Sequence, residues 1–246
     1  MVLYHYCSLH TLCVIVNSIK DGNVFLKASN AKDMNDPNDC YYFVNVIGQM
    51  IHASKDEIDN LFYQKNQYDA PYIICLSKWK DDLHMWNCYG KDGDGIAIGI
   101  DKELLMSAVN KYFEKNHISA KLYECLYKSA KQIENSQNLS SIIRKQGIDK
   151  TFWRKQEILA ISDIVKHPCY RYEKEYRVVI KRGKEELVNN TIYNESKDAF
   201  FLNIPINAVK RIVVGPNANY EAIAKIFKDY FPSAKFIKST IPYRKK

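Results

Sequence analysis

Glycine is scarce in this chain of 246 residues, with nine in all. The four that cluster, Gly90, Gly93, Gly95 and Gly99, form neither a GxGxxG nor a Walker-type loop. They read as turn glycines, which excludes a phosphate cradle of the dinucleotide-fold or P-loop kind at that place. Apolar runs are short; Tyr72–Leu76 is representative and falls far below the ~20 residues a membrane-spanning helix requires. The opening Met1-Val2-Leu3-Tyr4-His5 has neither a basic region nor a long apolar core, so a secretory leader is not expected there. The seven cysteines are odd in number and scattered, without a CxxC, which argues against a disulfide framework or a structural zinc site. His5, His10, His52, His84, His117 and His167 show no metal-ligand spacing. The expectation is a cytoplasmic chain with reduced, mostly buried thiols, no metal and no membrane partner.

Arginine is also missing from half of the chain. Residues 1–123 carry 12 Lys, no Arg and 15 acidic residues, a net of −3; residues 124–246 carry 24 basic and 13 acidic residues, a net of +11. Such asymmetry fits a face that binds a polyanion, and equally a solvated lysine-rich surface.

What remains is ordinary globular composition, 46% hydrophobic and 26% charged, with an unusual 18 tyrosines. We read one domain, 1–246, with helical insertions at about 40–68 and about 129–165. Val2–Cys7 has strand character, and Ser8 is placed to cap a helix running to Ile19. Asn23–Ala28 alternates as a strand, Ala31–Asp39 is a loop rich in Asn, Asp and Pro, and Pro71 introduces a buried strand over Tyr72–Leu76. Asp81 or Asp82 caps a short helix to Tyr89; Gly95–Ile100 is a strand, and Asp101 caps a helix to about Asn116. His117–Tyr127 is strand-like, as are Tyr172–Ile180, Phe200–Ile204, Val209–Val214 and Phe236–Lys238, with a polar hairpin over 183–198 and a helix at about Tyr220–Tyr230. Strands and helices do not alternate in a strict βαβ rhythm, so the fold class is α+β.

Three places could carry chemistry. In a strand, positions i and i+2 share a face, so Glu173 and Glu175 would stand side by side with Arg177 next to them and Lys174 opposite. Two close carboxylates can bind a sugar hydroxyl, stabilise a cationic transition state or move a proton. On pattern alone they also fit an exposed face with an ordinary ion pair. His5 alternates with Tyr4 and Tyr6, and suits either a structural hydrogen bond or a site. Ser77 ends a buried strand, a common position for a site, but without GxSxG it is no nucleophile elbow. Trp86 and Tyr89, three apart on one helical face, could stack on a flat ring or pack inward.

Taken together, Tyr4-His5-Tyr6, Asn35-Asp36-Pro37, Cys75-Leu76-Ser77, Met85-Trp86-Asn87-Cys88-Tyr89, the strand Gly95–Asp101 and Tyr172–Arg177 resemble, in order and spacing, a bacterial domain-of-unknown-function family, DUF2971. More distantly the layout resembles ADP-ribosyltransferases, through His5 in the first strand, Ser77 in a middle strand and Glu175 in a Glu-x-Glu strand.

That second resemblance implies a mixed, largely antiparallel split sheet with flanking helices and NAD as substrate. It implies that Glu175 stabilises the ribosyl cation and Glu173 orients or deprotonates the acceptor. His5, Ser77, Trp86, Tyr89 and Arg177 would hold the nucleotide, and the acceptor would be protein or nucleic acid, as in a toxin or phage-defence effector. A non-catalytic nucleic-acid-binding module, and another nucleotide- or sugar-processing enzyme using the acid pair, are the alternatives the residues leave open.

Overall fold

The computed structural model describes residues 1–34, 40–58, 71–116, 118–136, 161–181, 193–194, 196 and 198–243. Asn35-Asp36-Pro37, His117, residues 59–68 and 137–160 of the two expected insertions, and most of the expected 183–198 hairpin lie outside them.

The chain begins with strand β1 (Val2–Cys7) and helix α1 (Leu9–Asn17), whose first turn is capped by Ser8 accepting from the Thr11 amide. Strand β2 (Asn23–Asn30) follows, then helix α2 (Tyr42–Met50) and strand β3 (Tyr72–Ser77). Asp82, not Asp81, caps the short helix α3 (Leu83–Cys88). Strand β4 (Ile96–Asp101) leads into helix α4 (Lys102–Asn116), with Asp101 Oδ1 accepting from the Glu103 and Leu104 amides. The region read as one strand after His117 is two, β5 (Ser119–Glu124) and β6 (Leu126–Tyr127). Helix α5 (Ala130–Glu134), strand β7 (Val165–Lys166), strand β8 (Glu175–Lys181), strands β9 (Tyr193–Asn194), β10 (Ala199–Pro205) and β11 (Val209–Val214), helix α6 (Tyr220–Phe227) and strand β12 (Lys235–Lys238) complete the order.

Among the described residues, ten strands make one mixed, mostly antiparallel sheet, in which β11 pairs with β12 in parallel. The sheet divides at β3. One edge of β3 is matched to β8 along its whole length, from Tyr72↔Ile180 to Ser77↔Glu175. The other edge is shared between two strands: β2 pairs only at Ser29↔Ile73 and Asn30↔Tyr72, and β1 only at Tyr4↔Ser77. From these footholds one arm runs β2–β10–β9 and the other β1–β4–β11–β12. The α+β reading and the open, split antiparallel arrangement agree with this architecture.

The two faces differ because strand side chains alternate. Tyr72, Ile74, Leu76, Tyr176, Val178 and Ile180 join the main core, against Leu12 and Ile15 of α1, Leu105 and Val109 of α4 and Ile223 of α6. Each fully buried aliphatic side chain there contributes about 1.5–3 kcal/mol. The opposite face carries Cys75, Ser77, Glu175 and Arg177. A smaller apolar cluster unites Phe43, Val44 and Ile47 of α2 with Ile133 of α5 and Val165 of β7, so the two expected insertions pack on each other. Gly95 is required by close approach: a Cβ there would run into the carbonyl oxygens of Cys7 and Gly90, where the turn after α3 meets β1. No two of the seven cysteines are joined; Cys7, Cys40 and Cys125 are buried, while Cys13, Cys88 and Cys169 are exposed, so the thiols are not mostly buried as expected. Among the described residues no helix is long and apolar enough to cross a membrane.

Candidate functional site

Where β1 and β2 part from β3, a cleft of about 270 Å³ opens on the polar face of the sheet. It is lined by Tyr4, His5 and Tyr6 of β1, Lys27 and Ser29 of β2, Cys75 and Ser77 of β3, and by Tyr89, Lys166, Glu173 and Glu175. Three distant segments therefore bring an imidazole, a hydroxyl and both carboxylates to one cavity.

The two acids do meet, but not by strand alternation. Glu173 ends a 3-10 turn (Pro168–Glu173), Lys174 takes a left-handed conformation (φ 45°), and β8 starts only at Glu175. The turn swings Glu173 inward and leaves Lys174 in solvent. Both carboxylates are buried, which rules out the exposed-face reading. They share one ammonium: Lys166 Nζ lies 2.6 Å from Glu173 Oε2 and 3.0 Å from Glu175 Oε2. Arg177, with no exposed surface, grips Glu175 through Nε at 2.9 Å and Nη2 at 3.1 Å, and its Nη1 donates to the Asp163 carbonyl at 2.8 Å. The Cys125 thiol donates to Glu175 Oε2, and the Glu175 amide donates to the Tyr127 hydroxyl at 2.8 Å. Two acids and two cations thus balance in a water-poor setting. Removing one member would leave a buried charge uncompensated.

Glu175 is saturated by these partners, whereas Glu173 is not. Glu173 accepts from Lys166 on Oε2 and from the Tyr89 hydroxyl on Oε1 at 2.6 Å, which leaves two of the roughly four acceptor positions of a carboxylate. Its backbone carbonyl accepts from the Ser77 hydroxyl at 2.6 Å, and the same hydroxyl accepts from the Trp79 amide. Ser77 therefore holds the turn that presents Glu173.

Burial alone pushes the Glu175 carboxyl up, but Arg177 and Lys166 outweigh it and hold the group down at about 2. A depressed carboxyl stabilises the fold fully above its ordinary value of 4.5, and that stability is lost as pH falls toward about 2. Unfolding measured by urea between these limits should show stability declining with acid, with a shallower slope in Glu175→Gln. Burial also drives the Tyr89 phenol up, helped by Glu173, so it stays protonated and donating at neutral pH.

His5 bridges the split. Its Nδ1 lies 2.9 Å from the Cys75 carbonyl, an atom that only accepts, so Nδ1 carries the proton and Nε2 a lone pair. Burial lowers its pKa below the usual 6.5, against the opposing pull of that carbonyl. The ring is neutral at pH 7. Nitrogen NMR of the labelled protein should show the Nδ1–H tautomer, with protonation of Nε2 displaced below the ordinary imidazole range.

Two expected contact residues lie elsewhere. Trp86 is 0% exposed, packs edge-on to Tyr6 at 4.8 Å and donates Nε1 to Asp81 at 2.7 Å, so neither ring face is open to a ligand. It separates from Tyr89 because α3 ends at Cys88 and Tyr89 is its cap. Arg177 is likewise enclosed and meets carboxylates of the protein instead of a nucleotide. Sequence reading missed Lys166 entirely, since it follows a stretch read as helix. It is placed by β7 pairing with β6, Tyr127↔Lys166, a parallel contact between segments with no shared motif.

A family model described as protein of unknown function (DUF2971) matches residues 85–178. The matched segment holds Met85–Tyr89, β4, Lys166 and both site carboxylates; the first strand and Cys75–Ser77 lie before it. No curated protein and no solved structure matches the chain. Among the described residues there is no cluster of His, Cys, Asp and Glu suited to a metal ion.

Proposed function

We propose that the cleft binds NAD and breaks its nicotinamide–ribose bond, with transfer of the ADP-ribosyl group to an acceptor. The supporting observation is that Glu173, which keeps spare acceptor capacity, is buried beside a second carboxylate and faces the same cavity as a neutral His5. In this reaction the C1′–N bond breaks and its electron pair leaves with nicotinamide as a neutral molecule. The ribosyl carbon becomes cationic, and an anionic oxygen in a water-poor site stabilises it. The acceptor then bonds to C1′ and gives up its proton.

The roles differ from those implied by the distant resemblance to ADP-ribosyltransferases. Glu175 is fully occupied by Arg177, Lys166 and Cys125, so it anchors the constellation. Glu173 faces the reacting ribose and takes the acceptor proton, with Tyr89 and Lys166 fixing its two oxygens. His5 offers Nε2 to a ribose hydroxyl. The cavity is near the small end of ligand sites, about 300–1,000 Å³, so it encloses the nicotinamide riboside part while the phosphates lie along the rim with Lys27.

Incubation with NAD and cell lysate tests this, with nicotinamide release and label transfer as readouts. Release that is lost in Glu173→Gln supports the assignment; no release by the wild-type protein, or release unchanged in that variant, defeats it. A thermal-shift series with NAD, ADP-ribose and sugar nucleotides separates it from a sugar-processing enzyme that ignores NAD, since a ligand of the native state raises stability.

A further inference from the structure

Outside the cleft, the described surface carries one pair of exposed aromatic rings that is held rigidly and flanked by cations. Trp79 is 43% exposed and Tyr172 57% exposed. The indole is pinned: Trp79 Nε1 donates to the Tyr172 carbonyl at 2.8 Å, its carbonyl accepts from the Tyr6 hydroxyl at 3.0 Å, and its amide donates to Ser77. Tyr172 is held from its other side by Arg171, whose guanidinium lies 5.0 Å from the ring centre and donates to the phenol oxygen at 2.9 Å. Exposed Trp and Tyr fixed in this way cost solvation that free loops avoid, and they are the usual anchors of recognition surfaces.

Lys80, Arg171 and Lys174, within two residues of the rings along the chain, are exposed. The acids beside this loop are turned to other work: Asp81 accepts from Trp86, Ser239 and Thr240, Asp82 caps α3, and Glu124, at the end of β5, pairs with Lys78 at 2.6 Å. Half-exposed flat rings, one of them already stacked by a guanidinium, beside exposed cations suit a ligand that is itself flat-ringed and anionic along its length. We infer that Trp79 and Tyr172 form a base-stacking platform for single-stranded nucleic acid, with Lys80, Arg171 and Lys174 meeting its phosphates.

Stacking accepts any unpaired base and refuses a duplex, whose bases have no free faces. The platform sits two residues after Ser77 and one before Glu173, so a strand bound there would pass the mouth of the cleft. Binding does not depend on what the cleft catalyses.

The test is fluorescence anisotropy of the full chain with a short labelled oligo(dT), oligo(dA), and a duplex of equal length. Single strands should bind with a log–log salt slope of about −2, from roughly 0.7 per phosphate over three cations. Trp79→Ala and Tyr172→Ala should each weaken binding by roughly tenfold, in line with the cost of losing one stacked base. Trp79→Phe, which keeps a flat ring, should restore most of it, and Lys80→Glu should flatten the salt slope. Oligonucleotide should also quench tryptophan emission in the wild type and much less in Trp79→Phe. Circular dichroism checks that each variant folds, and the exposed Tyr172→Ala serves if Trp79→Ala does not. No binding of single strands, tighter binding of the duplex, salt-independent binding, or Trp79→Ala and Tyr172→Ala binding like wild type would each overturn the inference and leave the rings to a protein partner.

Discussion

Leucine in place of Arg177 should destabilise the fold by about 3–5 kcal/mol, the usual effect of stripping a partner from a buried charge. Arg177 has no exposed surface and makes a fork on Glu175, so its removal leaves two carboxylates for one Lys166 ammonium. For a chain of this size the melting temperature should fall by roughly 10 °C. Arg177→Lys should recover little, because an ammonium cannot reproduce the planar fork or reach the Asp163 carbonyl at the same time. The informative companion is Glu175→Leu/Arg177→Leu. It leaves Lys166 and Glu173 as a balanced pair 2.6 Å apart, and should be more stable than Arg177→Leu alone. A double variant as unstable as the single one would show that packing of the guanidinium, not charge balance, holds this part of the sheet.

Glutamine at position 173 should lower nicotinamide release by two to three orders of magnitude, the range for deleting one preorganised electrostatic contact to a developing charge. Stability should also fall, because Arg177 and Lys166 then face a single acid, although the amide oxygen can still accept from Tyr89 and Lys166 keeps Glu175. Glutamine at 175 should lower both turnover and stability, since Arg177 and Lys166 then outnumber the acids around them. Turnover per folded molecule, falling further at 173 than at 175, separates a carboxylate that faces substrate from one that anchors its neighbours. Equal effects on both measurements at both positions would mean that the acid pair is structural only.

Much of the strand content was legible because local patterns are strong here. Ser8 before an apolar helical repeat, Asp101 before Lys102–Asn116, and the run Tyr72–Leu76 each specify their element through interactions only a few residues long. The acid pair was legible as a pair, for the wrong reason. Alternation predicts that Glu173 and Glu175 share a strand face; a left-handed Lys174 brings them together instead, and a local pattern does not register a positive φ at lysine. Trp86 shows the same limit. Spacing of three puts it on one helical face with Tyr89, but only the tertiary fold decides that this face is covered by Tyr6.

The sequence by itself determined an α+β chain with only short apolar runs and the residue types from which a site could be assembled, because composition and short-range periodicity carry that information. The tertiary structure alone decided that β3 is shared by two diverging arms, that a cleft opens in the gap, and that Lys166 closes the charge balance of Glu173 and Glu175. Those facts depend on pairings between segments tens of residues apart. Their energy comes from burial and compensated charge, which no short stretch of the chain possesses until the fold encloses it.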